Sequence, residues 1–135
     1  MLVSDLLDLL TSGGAATAGT DLFGGLYPDS PDSLVGILET GGLPNVHTMS
    51  TGPGRAALER PRVQVMVRST SYQAGRVRSQ QVLNLLDGLR DRTINGAAYH
   101  WAASVSPPAY LGLDENGRHL FSTNYDIVRG RSGTS

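Results

Sequence analysis

The stretch PRVQVMVRSTSYQAG, residues 61 to 75, is the part of the sequence that decides the fold. Its first half alternates, and because successive side chains of a strand point to opposite faces of a sheet, the valines at alternate positions predict one buried face. The opposite face carries two arginines, a glutamine and a methionine: Arg62, Gln64, Met66 and Arg68. The alternation predicts a strand over 62–68 and leaves the purpose of its second face open.

A helix is expected directly after this strand, over residues 71–90. Thr70 with Gln73 three places on has the spacing of a capping box. An apolar stripe at helical spacing follows in the second half of the segment, at Val82, Leu86 and Leu89. Gly75 and Ser79 are the corresponding positions of the first half, and their small size predicts a close approach of the helix backbone to a sheet.

Further strands are predicted on both sides of this unit. Residues 34–40 are a strand candidate before it. After it, Asn95-Gly96 separates two β-compatible runs, and this residue pair suits a type I′ hairpin because both positions take positive φ. The segment 110–128 repeats the device, with Asn116-Gly117 at the tip of a second hairpin.

The N-terminal residues predict a short amphipathic helix. Its apolar stripe is Val3, Leu6, Leu7 and Leu10, with Ser4 as N-cap and Gly13-Gly14 as the stop. Segments 11–33 and 41–60 are rich in turn-forming residues and are predicted to be long loops, the second an excursion from the body of the protein. We expect one α+β domain over 1–128, a mostly antiparallel sheet with one long and one short helix on one face, and a flexible tail over 129–135.

Composition excludes several classes of function. All eleven basic residues are arginine and there is no cysteine, so lysine-based phosphate loops, Schiff-base enzymes, thiol nucleophiles and thiolate metal sites are ruled out. A net charge of −1 gives no field to collect nucleic acid. The first residues lack the basic segment of a signal peptide, and no apolar run is long enough to span a membrane, so we expect no membrane association.

No catalytic constellation is recognisable. The serines lie outside any GxSxG elbow, and the GPGR sequence at 52–55 fits a turn better than a phosphate site. Among the histidines, His119 alone has acidic neighbours, Asp114 and Glu115; a metal site there is conceivable, but turns favour Asp and Asn for their own reasons. The sequence predicts no enzyme, no cofactor and no metal, and instead an interaction protein, because arginine and methionine are enriched where proteins meet.

The second half of the chain resembles the tail terminator and minor capsid proteins of long-tailed bacteriophages and related gene transfer agents. The resemblance lies in the order of four elements over about residues 34–128: the strand PRVQVMVR, the helix with small residues in its first half, the hairpin around ING, and the late DENGRHLFSTNY segment. The resemblance implies a tail-terminator-like fold.

It also implies a virion protein at the head–tail interface, assembled in the host cytoplasm. Members of this family form a ring, commonly a hexamer, that caps the tail tube and stops its polymerisation. The resemblance implies that the ring contacts the head connector or stopper protein and that DNA only passes through its channel. This interpretation places Arg62, Gln64, Met66 and Arg68 against a neighbouring subunit, the central channel or the tube, together with His47 and Met49 of the 41–60 loop. Arginine there suits bidentate pairing with a neighbour's carboxylates. Another head-completion or stopper protein, a tail-tube ring subunit, a small nucleic-acid-binding module and an uncharacterised hydrolase are the alternatives.

Overall fold

The computed structural model describes residues 2–25, 28–29, 31–46 and 58–130, with the side chains of 43–46 and 58 excepted. It has two helices and seven strands. In chain order they are α1 (Leu2–Ser12), β1 (Leu22–Gly24), β2 (Leu34–Val46), β3 (Leu58–Ser69), α2 (Tyr72–Leu86), β4 (Leu89–Ile94), β5 (Ala97–Ser104), β6 (Ala109–Leu113) and β7 (His119–Gly130). The predicted mixed α+β class is confirmed.

The strands form one sheet in the order β1-β2-β3-β7-β5-β4, with β6 pairing β7 beside β5. Only β1 and β2 pair in parallel, and the other pairs are antiparallel. The predicted strand 62–68 lies at the centre of this sheet between β2 and β7, where Val65 is opposite both Ile37 and Thr123. The backbone hydrogen-bonding groups along both edges of this strand are therefore paired within the chain.

One face of the sheet, here called the inner face, is buried under the helices. Val63, Val65 and Val67 are at most 2% exposed, as the alternation predicts. They join apolar residues of both helices in one core cluster, which also includes Leu6, Leu10, Val82, Leu86, Tyr99, Phe121, Tyr125 and Ile127. The sheet's opposite face is here called the outer face.

Helix α1 differs from the prediction in its start and its stripe. Ser4 lies inside the helix, which begins at Leu2, so the assignment of Ser4 as N-cap was wrong. The buried stripe is Leu2, Leu6, Leu9 and Leu10, and Val3 and Leu7 are only half-buried. The helix ends at Ser12 before Gly13-Gly14 as predicted, and the φ of +79° at Gly14 is one that glycine adopts without steric cost.

Helix α2 is shorter than the sequence predicts. Its N-cap is Ser71, whose Oγ accepts from the backbone N–H of Ala74 at 3.3 Å, and not Thr70. It ends at Leu86, with Asp87 as C-cap and Gly88 at φ +82°, and Leu89 begins β4. The leucine that continues the helical stripe is therefore a strand residue, and the positive φ of Gly88 marks the break.

The close approach predicted for the first half of α2 is present at Gly75. A Cβ built on Gly75 would lie 2.5 Å from Cε1 of Phe121 and 3.0 Å from Cβ of Ser69. Ser79, one turn later on the same face, is 3% exposed. The absence of a side chain at Gly75 lets the helix lie directly on β7 and the end of β3.

The predicted loops contain regular structure. The segment 41–60 was predicted to be a loop, but residues 41–46 extend β2 and residues 58–60 begin β3, because their backbones continue the antiparallel ladder. The segment 11–33 contains β1. Arg129 and Gly130, assigned by the sequence to the tail, continue β7.

Both hairpins are present, with different turns. Asn95 and Gly96 have φ of +51° and +83°, as a type I′ turn requires. The second hairpin has a longer connection, in which Gly117 takes a φ of +75° and Asn116 does not have positive φ. The Asp114 Oδ1 accepts from the N–H groups of Asn116 and Arg118 at 2.9 Å each, so the aspartate holds this turn.

A buried polar network joins α1 to the sheet. Asp5 is 1% exposed, and its carboxylate accepts from the Tyr99 hydroxyl at 2.5 Å and from the Asn95 amide at 3.0 Å. The Arg129 guanidinium donates to the Tyr99 oxygen at 3.3 Å and pairs with Glu59 at 2.7 Å. Burial, and then the hydrogen bond to Asp5, raise the pKa of Tyr99, so this hydroxyl stays protonated and donates to the carboxylate.

Candidate assembly surface

The outer face around β3 is the surface that the sequence assigns to assembly. Its residues on β2, β3 and β7 are Leu38, Arg62, Gln64, Met66, Ser122, Asn124 and Asp126, placed side by side by the strand register. All of these except Leu38, which is 42% exposed, are half-buried. This surface mixes apolar and polar groups and carries one arginine–carboxylate pair.

Arg62 already has a carboxylate partner within the chain. Its Nε donates to Asp126 Oδ1 at 2.6 Å and its Nη2 to Oδ2 at 3.2 Å, which is a bidentate pair between adjacent strands. The hydrogen bond and charge of Asp126 raise the pKa of Arg62. The guanidinium thus has a carboxylate partner within the chain, while its side chain is 43% exposed, and its pairing with the next subunit stays a prediction.

Arg68 does not belong to the exposed part of this surface. It is 4% exposed, and its guanidinium donates to the backbone oxygens of four residues, Pro28, Asp29, Pro31 and Asp32, at 2.7 to 3.1 Å. The segment contains two prolines, which lack an N–H and cannot join a ladder, so its carbonyls need donors from elsewhere. The assignment of Arg68 to a subunit interface was wrong, because the residue is buried in its own chain.

Arg118 holds the same segment from the other side and was not singled out from the sequence. Its side chain is 7% exposed and contacts three carboxylates: Asp29 at 2.8 Å, Asp114 at 2.7 Å and Asp32 at 3.4 Å. The Asp114–Arg118 spacing of four residues across a turn was the available signal. Hydrogen bonds from Arg118, first that of its backbone N–H, lower the pKa of Asp114.

The remaining predicted contact residues are Gln64, Met66, His47 and Met49. The Gln64 side-chain amide donates to the Ser122 hydroxyl at 2.9 Å, a cross-strand contact within the chain. Met66 lies between Gly36 and Ser122 in the register, so the thioether has small neighbours on both sides. His47 and Met49 lie outside the described residues. Gln64 and Met66 are thus half-buried on the outer face of β3, beside Arg62, whose side chain is 43% exposed.

The most exposed apolar strand is β6, which the sequence did not mark as a contact surface. Tyr110, Leu111 and Leu113 are 44%, 54% and 60% exposed. Strand β6 pairs with β7 on one side, and no other described strand pairs with its second side. The sequence of this strand, AYLGL, could have indicated its exposure, because apolar and polar residues do not alternate in it and no single face is predicted to be buried.

The inner side of β6 borders an aromatic cluster. The Tyr72 and Tyr110 rings meet edge to face with centroids 5.0 Å apart, and Phe121 lies 5.2 Å from Tyr110. The Tyr110 hydroxyl and His119 Nδ1 are 2.9 Å apart, so His119 is engaged with an aromatic neighbour. Within the described ranges no group of three histidine, cysteine or acidic side chains is placed to hold a metal.

No helix among the described residues is both long enough and apolar enough to cross a membrane. The outer face and the exposed edge of β6 are two accessible surfaces of the described residues. Both are suited to contacts with other protein chains, since exposed apolar side chains and unpaired strand edges mark such surfaces.

Comparisons with known proteins agree with a protein whose accessible surfaces contact other protein chains. The family model described as "Bacteriophage tail terminator protein" matches residues 9–129. Among solved structures, a chain of the "Virion of native gene transfer agent (GTA) particle" has a similar fold, with a TM-score of 0.56 and 13% sequence identity over 96% of this chain and 92% of that chain. No curated protein matches the chain. The family match spans most of the sequence, and the chain therefore belongs to the bacteriophage tail terminator family, whose members are structural proteins of the phage tail.

Proposed function

We propose that the chain assembles into a ring, a hexamer by the family resemblance, that caps the end of the tail tube. The ring stops tube polymerisation and presents a surface for the head connector, and it is built in the host cytoplasm. DNA passes through its channel without specific contacts. The observation that carries this proposal is the family match over residues 9–129.

The described surface supports an assembly subunit. A ring requires a heterologous contact, in which one patch of each subunit meets a different patch of its neighbour. The chain offers two chemically distinct accessible patches, the mixed outer face around Met66 and the apolar edge at Leu111 and Leu113. The outer face, with Gln64 and Met66 and the neighbouring Arg62–Asp126 pair, is assigned to a neighbouring subunit or to the tail tube.

Particles assembled without this protein test the function directly. If the chain terminates the tube, electron microscopy of such particles shows overlong tails and no attached heads. Tails of normal length that lack heads would instead indicate a head-completion or stopper protein. Particles with no tails at all would indicate a tube subunit, so each alternative has its own appearance.

Substitution of Met66 tests the outer face. Met66→Glu places a charge on a half-buried position between Gly36 and Ser122, and we expect it to prevent capping. Thr70→Glu is the matched control, because Thr70 is exposed and lies just beyond the end of β3. Normal capping by the Met66→Glu protein would contradict the assignment of this face to an interface.

A further inference from the structure

Besides the free side of β4, two open stretches of strand edge with different chemistry lie on either side of the centre of the sheet among the described strands. One is the free side of β6. The other is the part of β2 beyond Ile37, because β1 pairs only with Val35, Gly36 and Ile37 and the described strands leave the rest of that side uncovered. Unpaired edges of this kind accept a further strand unless they carry a guard against it.

The free edges of β4 and β6 differ in how they are guarded. Strand β4, at the far end of the sheet, has exposed Arg90 and Arg92 and a kink at Asp91, whose φ is +47°. Charge and local distortion are the means by which proteins prevent edge-to-edge pairing. Strand β6 has a bulge at Gly112, whose φ is +104°, but it carries no charged side chain: its exposed residues are apolar, and Leu111 and Leu113 are more than half exposed. The edge without charged side chains is therefore the one open to a partner.

The open part of β2 complements β6 in side-chain chemistry. Leu38 is 42% exposed, and Glu39 next to it is exposed. On the other side, Arg76 of α2 is exposed and borders the cleft beside β6. Within the described part of the chain, neither Glu39 nor Arg76 makes an ion pair. One edge thus has an unpaired carboxylate and the other an unpaired guanidinium.

The directions of β2 and β6 also suit antiparallel pairing between two copies. Each of the pairs β2–β3, β3–β7 and β7–β6 is antiparallel, so β2 and β6 run in opposite directions. In the register β6 is level with residues 34–36 of β2, so a second copy turned about an axis inclined to the strands would bring residues 38–42 of its β2 antiparallel to β6. In such a continued sheet the faces are kept, and Glu39, which lies opposite the core residue Val63, would be on the same face as α2.

We propose that β6 of one copy pairs antiparallel with the open part of β2, residues 38–42, of the next copy, and that Arg76 of the first binds Glu39 of the second. This contact rests on the proposed ring function and identifies its interface. It is heterologous, since two different edges meet. The first copy keeps its open β2 stretch and the second keeps its β6 edge, so the contact can repeat around a ring.

A cleft beside β6 provides the place for the carboxylate. It has a volume of about 220 Å³ and lies between α2 and the Pro107-Pro108 turn. Its walls include Tyr72, Tyr110 and Phe121, and Arg76 and Ser79 also line it. The Ser79 hydroxyl is buried and has no hydrogen-bond partner among the described residues. A glutamate that enters this cleft would meet the guanidinium and an unused hydroxyl donor.

Charge reversal tests the contact without the need to identify any other protein. Glu39→Arg and Arg76→Glu each place like charges at the interface, and we expect each to weaken self-association at least about tenfold in sedimentation velocity, alone or on added tail tubes. Arg90→Glu on the guarded strand β4 is the matched control and should associate like the unmodified chain. The double variant Glu39→Arg/Arg76→Glu should recover association.

A mixture of the two single variants is the sharpest measurement. Each contact in an alternating assembly then joins opposite charges, so the mixture should associate although each variant alone does not. Recovery also shows that both variants are folded. Association of both single variants at the unmodified strength would refute this contact and leave the ring function intact, as would a mixture and a double variant that stay as weak as the singles. An unmodified chain that remains monomeric even with tail tubes would refute the ring itself.

Discussion

Replacement of Tyr99 by phenylalanine isolates the contribution of the buried polar network. The Tyr99 side chain is fully buried, and its hydroxyl donates to a carboxylate that is itself only 1% exposed. Without the hydroxyl, Asp5 loses one of its donors in a place that water does not reach. Such a loss costs about 2 kcal/mol, since a buried charged acceptor is left undersatisfied. For a chain of 135 residues this lowers Tm by about 7 °C.

Tyr125 provides a matched control within the same core. It is also fully buried, and its hydroxyl makes no hydrogen bond of acceptable geometry among the described residues, although Thr123 is close. Tyr125→Phe therefore removes an unsatisfied hydroxyl and is expected to leave the free energy of unfolding unchanged or to raise it by up to about 1 kcal/mol. The two variants delete the same atom, so their difference reports only the network.

Urea denaturation followed by far-UV circular dichroism measures the comparison, at a protein concentration low enough to keep the chain unassembled. The m-value should be the same for both variants, since neither changes the surface exposed on unfolding. Equal destabilisation by the two substitutions, or a larger effect of Tyr125→Phe, would show that the Tyr99–Asp5 bond does not stabilise the fold.

Three other expectations concern the core, its titration and one surface segment. Gly75→Ala should lower the free energy of unfolding by about 1 kcal/mol, because the clash of the new methyl group with Phe121 outweighs the gain in helix propensity. Ser79→Ala on the same helix face is the control and should leave the free energy of unfolding unchanged. If urea denaturation shows no effect of Gly75→Ala either, the close approach of α2 to the sheet is contradicted. Burial raises the pKa of Tyr99 and Tyr125 above the usual value near 10, so these side chains ionise at lower pH in the unfolded chain than in the folded one. The free energy of unfolding should therefore be unaffected by these groups below pH 10 and should fall above pH 10 by up to about 1.4 kcal/mol per pH unit for each tyrosine. A free energy of unfolding that stays constant up to pH 11 would exclude this effect. Arg118→Lys keeps the charge but loses the planar fork, so amides of segment 28–32 should exchange with deuterium faster, and unchanged exchange would show that the arginine does not hold the segment.

The central strand and the two hairpins could be predicted from sequence because their signals are local. Alternation at Val63, Val65 and Val67 is set by the pleat, and Asn95-Gly96 is set by the φ angles of one turn. Each depends on a few consecutive residues. The family resemblance rested on the order of such elements, and the family match confirms it.

The ends of elements were predicted less well, because they depend on distant contacts. Leu89 continues the helical stripe of α2 in sequence, yet its backbone pairs with Ala102 on β5. The 41–60 segment has turn-forming composition, but its residues 41–43 pair with residues 60–62 across the ladder. Tertiary pairing overrides local propensity at both places.

The candidate surface was predicted only in part for a similar reason. The alternation correctly placed Arg62 and Arg68 away from the valines, but it carried no information about what would cover them. Asp126 is 64 residues from Arg62, and the Pro28 carbonyl is 40 residues from Arg68. Arginines on a face that appears accessible in one strand can thus be used within the chain.

The buried bond between Asp5 and Tyr99 has a consequence for the order of folding, since the two residues are 94 positions apart and Arg129 completes the group. The helix synthesised first gains its contacts with Asn95 and Tyr99 only after the β4–β5 hairpin has been translated, and Arg129 joins them only with the last long strand. The polar contacts between α1 and the sheet are therefore among the last to become possible during synthesis. A nascent chain stalled before β5 would lack the Tyr99–Asp5 bond, and the complete network forms only once translation has passed residue 129.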